Sequence, residues 1–97
     1  MGEGSRVEIR NTMQEYFESA VRFGGDYAGV FECDSDTSYF YLYRVDANGG
    51  QKIVRALNVE LRESQLFDRQ LTVVWSENQS TVFLKLDDEV VAALSSD

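Results

Sequence analysis

The 97 residues contain no histidine, no proline and a single cysteine, Cys33. The missing imidazole removes the commonest general base and the commonest transition-metal ligand. One thiol and no imidazole leave too few ligands for a structural zinc site within one chain. An intramolecular disulfide is excluded, which suits a reducing cytoplasm. Without proline, the turns fall to Gly, Asn, Asp and Ser. No run approaches the ~20 apolar residues of a membrane span, and residues 1–10 lack the apolar stretch of a signal peptide. A cytoplasmic location is therefore expected. Basic residues are also scarce, with 9 Lys and Arg against 17 Asp and Glu, a net charge of −8. Such a field repels phosphate backbones and anionic lipid, so neither nucleic acid nor a membrane is expected as a partner. It permits a basic protein partner or a metal cation.

What is present describes a folded globule. Hydrophobic residues make up 43% and aromatics 12% of the chain, too much apolar content for a disordered acidic segment. The length fits a single domain over residues 1–97, burying roughly 60–65% of the surface of the unfolded chain. Residues 1–6 are small and polar and are expected to be disordered. Met1-Gly2 invites comparison with the myristoylation pattern, but Arg6 stands where the hydroxyl residue is required.

Residues 7–23 admit two readings. A helix places Met13, Phe17, Ala20 and Val21 on one stripe, with Asn11 or Thr12 as N-cap and Gly24-Gly25 ending it. A strand takes residues 14–19 as an extended piece beside the strand that contains Val30. Further on the pattern is clearer. Residues 27–33 (YAGVFEC) read as a strand with Val30 and Phe31 in the core, and 34–36 as a turn. Residues 37–45 (TSYFYLYRV) are the clearest strand, followed by an Asn-Gly hairpin loop at 46–50. Residues 52–61 alternate, with Ile53, Arg55, Leu57, Val59 and Leu61 on one face. A polar connection spans 62–70, where Leu66-Phe67 can tuck onto the core. Residues 71–77 and 80–86 form two strands around Asn78-Gln79. Residues 90–94 fit a short helix or a final strand equally well. Short strands between tight turns predict an antiparallel meander.

The stretch FECDSDTSYFY at 31–41 resembles the signature F-E-D-D-G-[DE]-T-G-Y-F-Y-A of a family of small bacterial proteins of unknown function. Phe31, Glu32, Asp34, Asp36, Thr37, Tyr39, Phe40 and Tyr41 match it; Cys33, Ser35 and Ser38 depart from it. Downstream, Lys52-Ile53 with Ala56-Leu57, then Asp68, Val74-Trp75-Ser76-Glu77, Leu84 and Val91-Ala92 continue the likeness, which covers roughly residues 27–94. The resemblance implies a mainly-β domain in which 90–94 is a strand and 7–23 is extended. It implies no reaction, ligand or catalytic residue. Where the signature has glycine this chain has Ser35 and Ser38, which would be strained if positive φ is needed there.

The expected fold is therefore mainly β: an antiparallel, strongly bent sheet or half-barrel of about six strands, with at most one short N-terminal helix. Three features could carry function. Glu32, Asp34 and Asp36 alternate around a turn and could converge on a divalent cation. They lack the spacing of a helix–loop–helix calcium site, and capping the turn's own N–H groups is the plainer role. Tyr39, Tyr41 and Tyr43 share one face of their strand, opposite Phe40 and Leu42, and form an amphipathic ladder suited to a partner. Trp75, sharing a face with Leu71 and Val73, is expected in the core. Cys33 has no base to activate it and sits among acids that raise a thiol pKa. No catalytic residue, metal ligand set or cofactor is assigned, and the chain is read as a non-enzyme. The expected function is a small acidic protein-interaction module that uses Tyr39, Tyr41, Tyr43, Glu32, Asp34 and Asp36 to bind a basic partner. An inhibitor or immunity protein is one concrete form. The alternative is a small-ligand or divalent-metal-binding domain. Monomer and homodimer both remain open, because an open sheet leaves edges to cover.

Overall fold

The computed structural model describes residues 16–34, 37–46 and 48–97. Among the described residues, seven strands and one helical turn follow in order: β1 (Tyr16–Val21), β2 (Tyr27–Cys33), β3 (Ser38–Val45), β4 (Gln51–Asn58), α1 (Glu63–Leu66), β5 (Leu71–Trp75), β6 (Thr81–Leu86) and β7 (Glu89–Ser95). They form two open antiparallel meanders, β1-β2-β3-β4 and β5-β6-β7. The expected antiparallel β class holds, with the strands divided between two packed sheets. The expected leader at 1–6 and the first part of 7–23 lie outside the described residues.

Residues 16–21 are strand, not helix. Phe17 and Val21 are four apart, a spacing that puts them on one face under either period. Pairing decides the matter, since β1 runs in register with β2 from Tyr16↔Cys33 to Val21↔Ala28. Residues 90–94 lie inside β7, with an irregularity at Leu84/Lys85 that leaves Val91 as the extra residue. A second irregularity changes the reading of 52–61. Leu42 pairs with Arg55 but Tyr43 pairs with Ile53, so Val54 is the extra residue of a bulge. Ile53 and Leu57 thus fall on opposite faces instead of sharing one. In the 62–70 connection α1 buries Leu66, whereas Phe67 stays 75% exposed.

The turns follow their side chains. Asp46 Oδ1 accepts the N–H groups of Asn48 and Gly50 at 3.0 and 2.8 Å, and Gly49 takes φ +83° to close the loop. At the β6–β7 turn Asp87 has φ 58°, a region Asp tolerates better than most residues. Its carboxylate also accepts from Gln70 N at 3.1 Å and Arg69 Nε at 2.8 Å, fastening this turn to the start of β5. Ser38 avoids the strain anticipated for it, because it is not among the positive-φ residues. It is buried, and its hydroxyl accepts the Leu61 N–H at 2.9 Å, satisfying a donor that would otherwise be stranded.

The core lies between the sheets. Phe31 and Cys33 of β2 and Phe40 and Leu42 of β3 face Val73 of β5, Val82, Leu84 and Leu86 of β6, and Ala92 of β7, with Leu66 beside them. Each buried Phe, Leu or Val contributes about 1.5–3 kcal/mol relative to exposure. Gly29 sits on the same face as Leu42. A Cβ there would lie 2.5 Å from Val82 Cγ2 and 3.3 Å from Val73 Cγ1.

Side chains bridge both open sides of the two layers. On the β1–β5 side, Trp75 Nε1 donates to Ala20 O at 2.9 Å. Beside it the Arg22 guanidinium stacks over Tyr27 at 4.6 Å and Trp75 at 5.6 Å. The same group forks onto Asp26 and donates to Gln79 O and Ser96 Oγ. On the β4–β7 side, Arg55 donates to Ser95 O at 2.8 Å and to Asp97 O at 2.6 Å.

Two outcomes follow from this packing. Gly29→Ala should lower stability by about 1–3 kcal/mol in chemical denaturation. Combining it with Val82→Ala should cost less than the sum of the two single changes, because the added methyl then finds room. The Asp87 carboxyl is held below its ordinary 3.8, first by the Gln70 N–H and then by Arg69. A depressed folded pKa stabilises above the unfolded value and is lost as pH falls through the folded one. Asp87→Asn should therefore lower the melting temperature near neutral pH. The gap to the parent protein should close as pH falls from about 5 to about 2.

Candidate functional site

Strand pairing turns the outer face of the four-stranded sheet into three rows. The first is Phe17–Glu32–Tyr39–Asn58, the second Ser19–Val30–Tyr41–Ala56 and the third Val21–Ala28–Tyr43–Ile53. The rows arise because side chains at i and i+2 share a face and directly paired residues point the same way. β3 shows this alternation in its burial, with Ser38, Phe40 and Leu42 inside and Tyr39, Tyr41 and Tyr43 half-buried on the other face.

The three tyrosines pack on one another. The Tyr39 and Tyr41 rings stack at 5.9 Å with 14° between their planes, and Tyr41 meets Tyr43 edge-on at 5.9 Å and 61°. Around the ladder lie exposed apolar groups: Phe17 at 58%, Val21 at 63% and Ile53 at 46%. Glu32 is exposed within the first row, and its side chain makes no hydrogen bond or ion pair with a described residue. The Tyr41 hydroxyl has its pKa raised, first by burial and then by the charge of Glu32 and the neighbouring tyrosines.

The described residues expected to act together are neighbours that differ in what holds them. Glu32, Tyr39, Tyr41 and Tyr43 share the outer face. Asp34 belongs to the β2–β3 turn, where its Oδ1 accepts the Thr37 N–H at 3.0 Å and the Thr37 hydroxyl at 3.1 Å. Asp36 lies outside the described residues. Among the described residues, no three Asp, Glu or Cys side chains gather at metal-binding spacing. Cys33 points the opposite way, into the core at 2% exposure, and its Sγ donates to Asp34 O at 3.2 Å. Burial, then the charges of Asp34 and Glu63, push its thiol pKa up, so it stays protonated. Trp75 lies on the core face of β5, in register with Val82.

Sequence reasoning missed Phe17, Val21 and Ile53 as members of this face. Phe17 and Val21 also fit a helical stripe, and Ile53 reaches the face only through the bulge at Val54. At the end of the first row the surface dips into a cavity of about 130 Å³ lined by Tyr16, Phe17, Glu32, Cys33, Asp34, Thr37 and Tyr39.

Two open antiparallel meanders with an aromatic, acid-bearing outer face thus define a small two-sheet β protein. The chain belongs to the family of uncharacterized proteins conserved in bacteria designated DUF2251, whose model matches residues 11–95. The expected membership of an uncharacterised bacterial family thus holds. No curated protein and no solved structure matches the chain. No helix among the described residues is long and apolar enough to cross a membrane.

Proposed function

We propose that this protein is a small interaction module that binds a basic protein partner through the outer face of its four-stranded sheet. One observation carries the reading: the Tyr39–Tyr41–Tyr43 ladder faces away from the core, ringed by exposed Phe17, Val21 and Ile53 and by the exposed carboxylate of Glu32. Interface centres favour rigid aromatics that combine a large apolar area with a polar tip. The net charge of −8 selects a cationic partner and speeds its approach. Cys33 brings no nucleophile to this surface, so the proposed role is binding without chemistry. The proposed compartment is the cytoplasm, where that lone thiol stays reduced. An inhibitor or immunity protein that occludes a basic target is the concrete form in which such a face would act.

Tyr41 lies at the centre of the ladder and is the predicted hot spot. Tyr41→Ala should weaken partner binding by about 2 kcal/mol, roughly thirtyfold, while the chain stays folded with a melting temperature lowered only by the lost ring contacts, about 4–8 °C. Raising salt from ~50 to ~500 mM should slow association of the parent protein. Affinity indifferent to both changes, measured by surface plasmon resonance against the captured partner, would sink the proposal.

A further inference from the structure

We infer that the cavity at the β1–β2–β3 end of this face receives an arginine side chain of the partner; this rests on the interaction reading above. The cavity of about 130 Å³ exceeds several-fold the space that one water needs. Two of its walls are aromatic: Phe17 and Tyr39 flank Glu32 in register across three adjacent strands. Aromatic faces carry negative potential and attract a cation placed over them.

Two carboxylates supply counter-charge, and Glu32 is the one placed between the aromatic residues. Asp34 also lines the cavity, but its Oδ1 already receives two hydrogen bonds from Thr37, which fix the turn. Glu32 is differently placed: it stands between two aromatic residues in register, and its carboxylate bonds to no described residue. A flat group that can stack on rings while forking onto one carboxylate suits this layout. Guanidinium does both, whereas an ammonium is a compact, strongly hydrated charge that does neither as well. The protein already packs one guanidinium in this way: Arg22 lies 4.6 Å over the Tyr27 ring while forking onto Asp26. The cavity at Glu32 offers the same pair of contacts to an arginine from outside.

The test is an NMR titration of the full ¹⁵N-labelled chain with N-acetyl-arginine amide. The lysine amide and the neutral, isosteric citrulline amide serve as comparisons. Saturable shifts are expected at the Phe17, Glu32, Thr37 and Tyr39 amides. Affinity should be at least about fivefold weaker for citrulline, weaker for lysine, and about fivefold weaker for arginine after Glu32→Gln. Equal response to citrulline or lysine overturns the inference, as does a response centred away from Glu32. Tyr41→Ala separates this result from the wider reading. If the arginine amide fails but partner binding still depends on Tyr41, the arginine site falls and the interaction face stands. If the amide binds at Glu32 while partner binding ignores both Tyr41 and Glu32, the interaction face falls and with it the assignment of a partner's arginine.

Discussion

The fold depends on two sheets meeting where one of them carries no side chain. Gly29 of β2 leaves room for Val82 of β6, which is fully buried, and a single added carbon would come within 2.5 Å of it. A chain of this size has no disulfide to lean on and little apolar surface to spare. The two layers must therefore pack closely along the few residues they share. That contact aligns Phe31, Phe40 and Leu42 against Leu84 and Leu86. The bridges on either side, Trp75 and Arg22 at one and Arg55 at the other, hold the layers in place.

Once the inner face is spent on the core, strand alternation determines what the outer face can be. β3 cannot bury Phe40 and Leu42 without turning Tyr39, Tyr41 and Tyr43 outward. Cross-strand pairing then places Phe17 and Glu32 beside Tyr39, and Val21 and Ile53 at the far end near Tyr43. The aromatic, singly charged character of this surface follows from the register. The same geometry removes Cys33 from it, since Cys33 pairs with Ser38 on the inner side. The acids diverge for a related reason. Glu32 is within a strand and faces outward, whereas Asp34 is consumed in holding its turn.

Much of this was legible in the residues. The period-two pattern of TSYFYLYRV assigned β3 and its two faces correctly, and Asp46 with Asn48-Gly49 marked the hairpin by turn chemistry alone. Trp75 was rightly placed in the core, although nothing local announced its bond to Ala20 O. Other features depend on partners distant in sequence. Residues 16–21 carry spacings common to helix and strand, and only pairing with β2 resolves them. The bulge at Val54 reverses the face of Ile53 because β4 must follow β3 past an irregular step. That the strands divide into two sheets reflects the break at 59–70, where Ser38 anchors Leu61 and α1 buries Leu66. No periodicity in the segment encodes that division.

Among the described residues, the outer face of the first sheet lies clear of the core, with Phe17, Val21 and Ile53 exposed. Solvent paramagnetic relaxation enhancement with a neutral gadolinium chelate, applied to the full chain, measures this directly. Strong enhancement is expected at side-chain protons of Phe17, Val21 and Ile53, intermediate values at Tyr39, Tyr41 and Tyr43, and minimal values at Phe31, Phe40 and Leu84. Enhancement at Phe17, Val21 and Ile53 as low as that at Phe40 would contradict it.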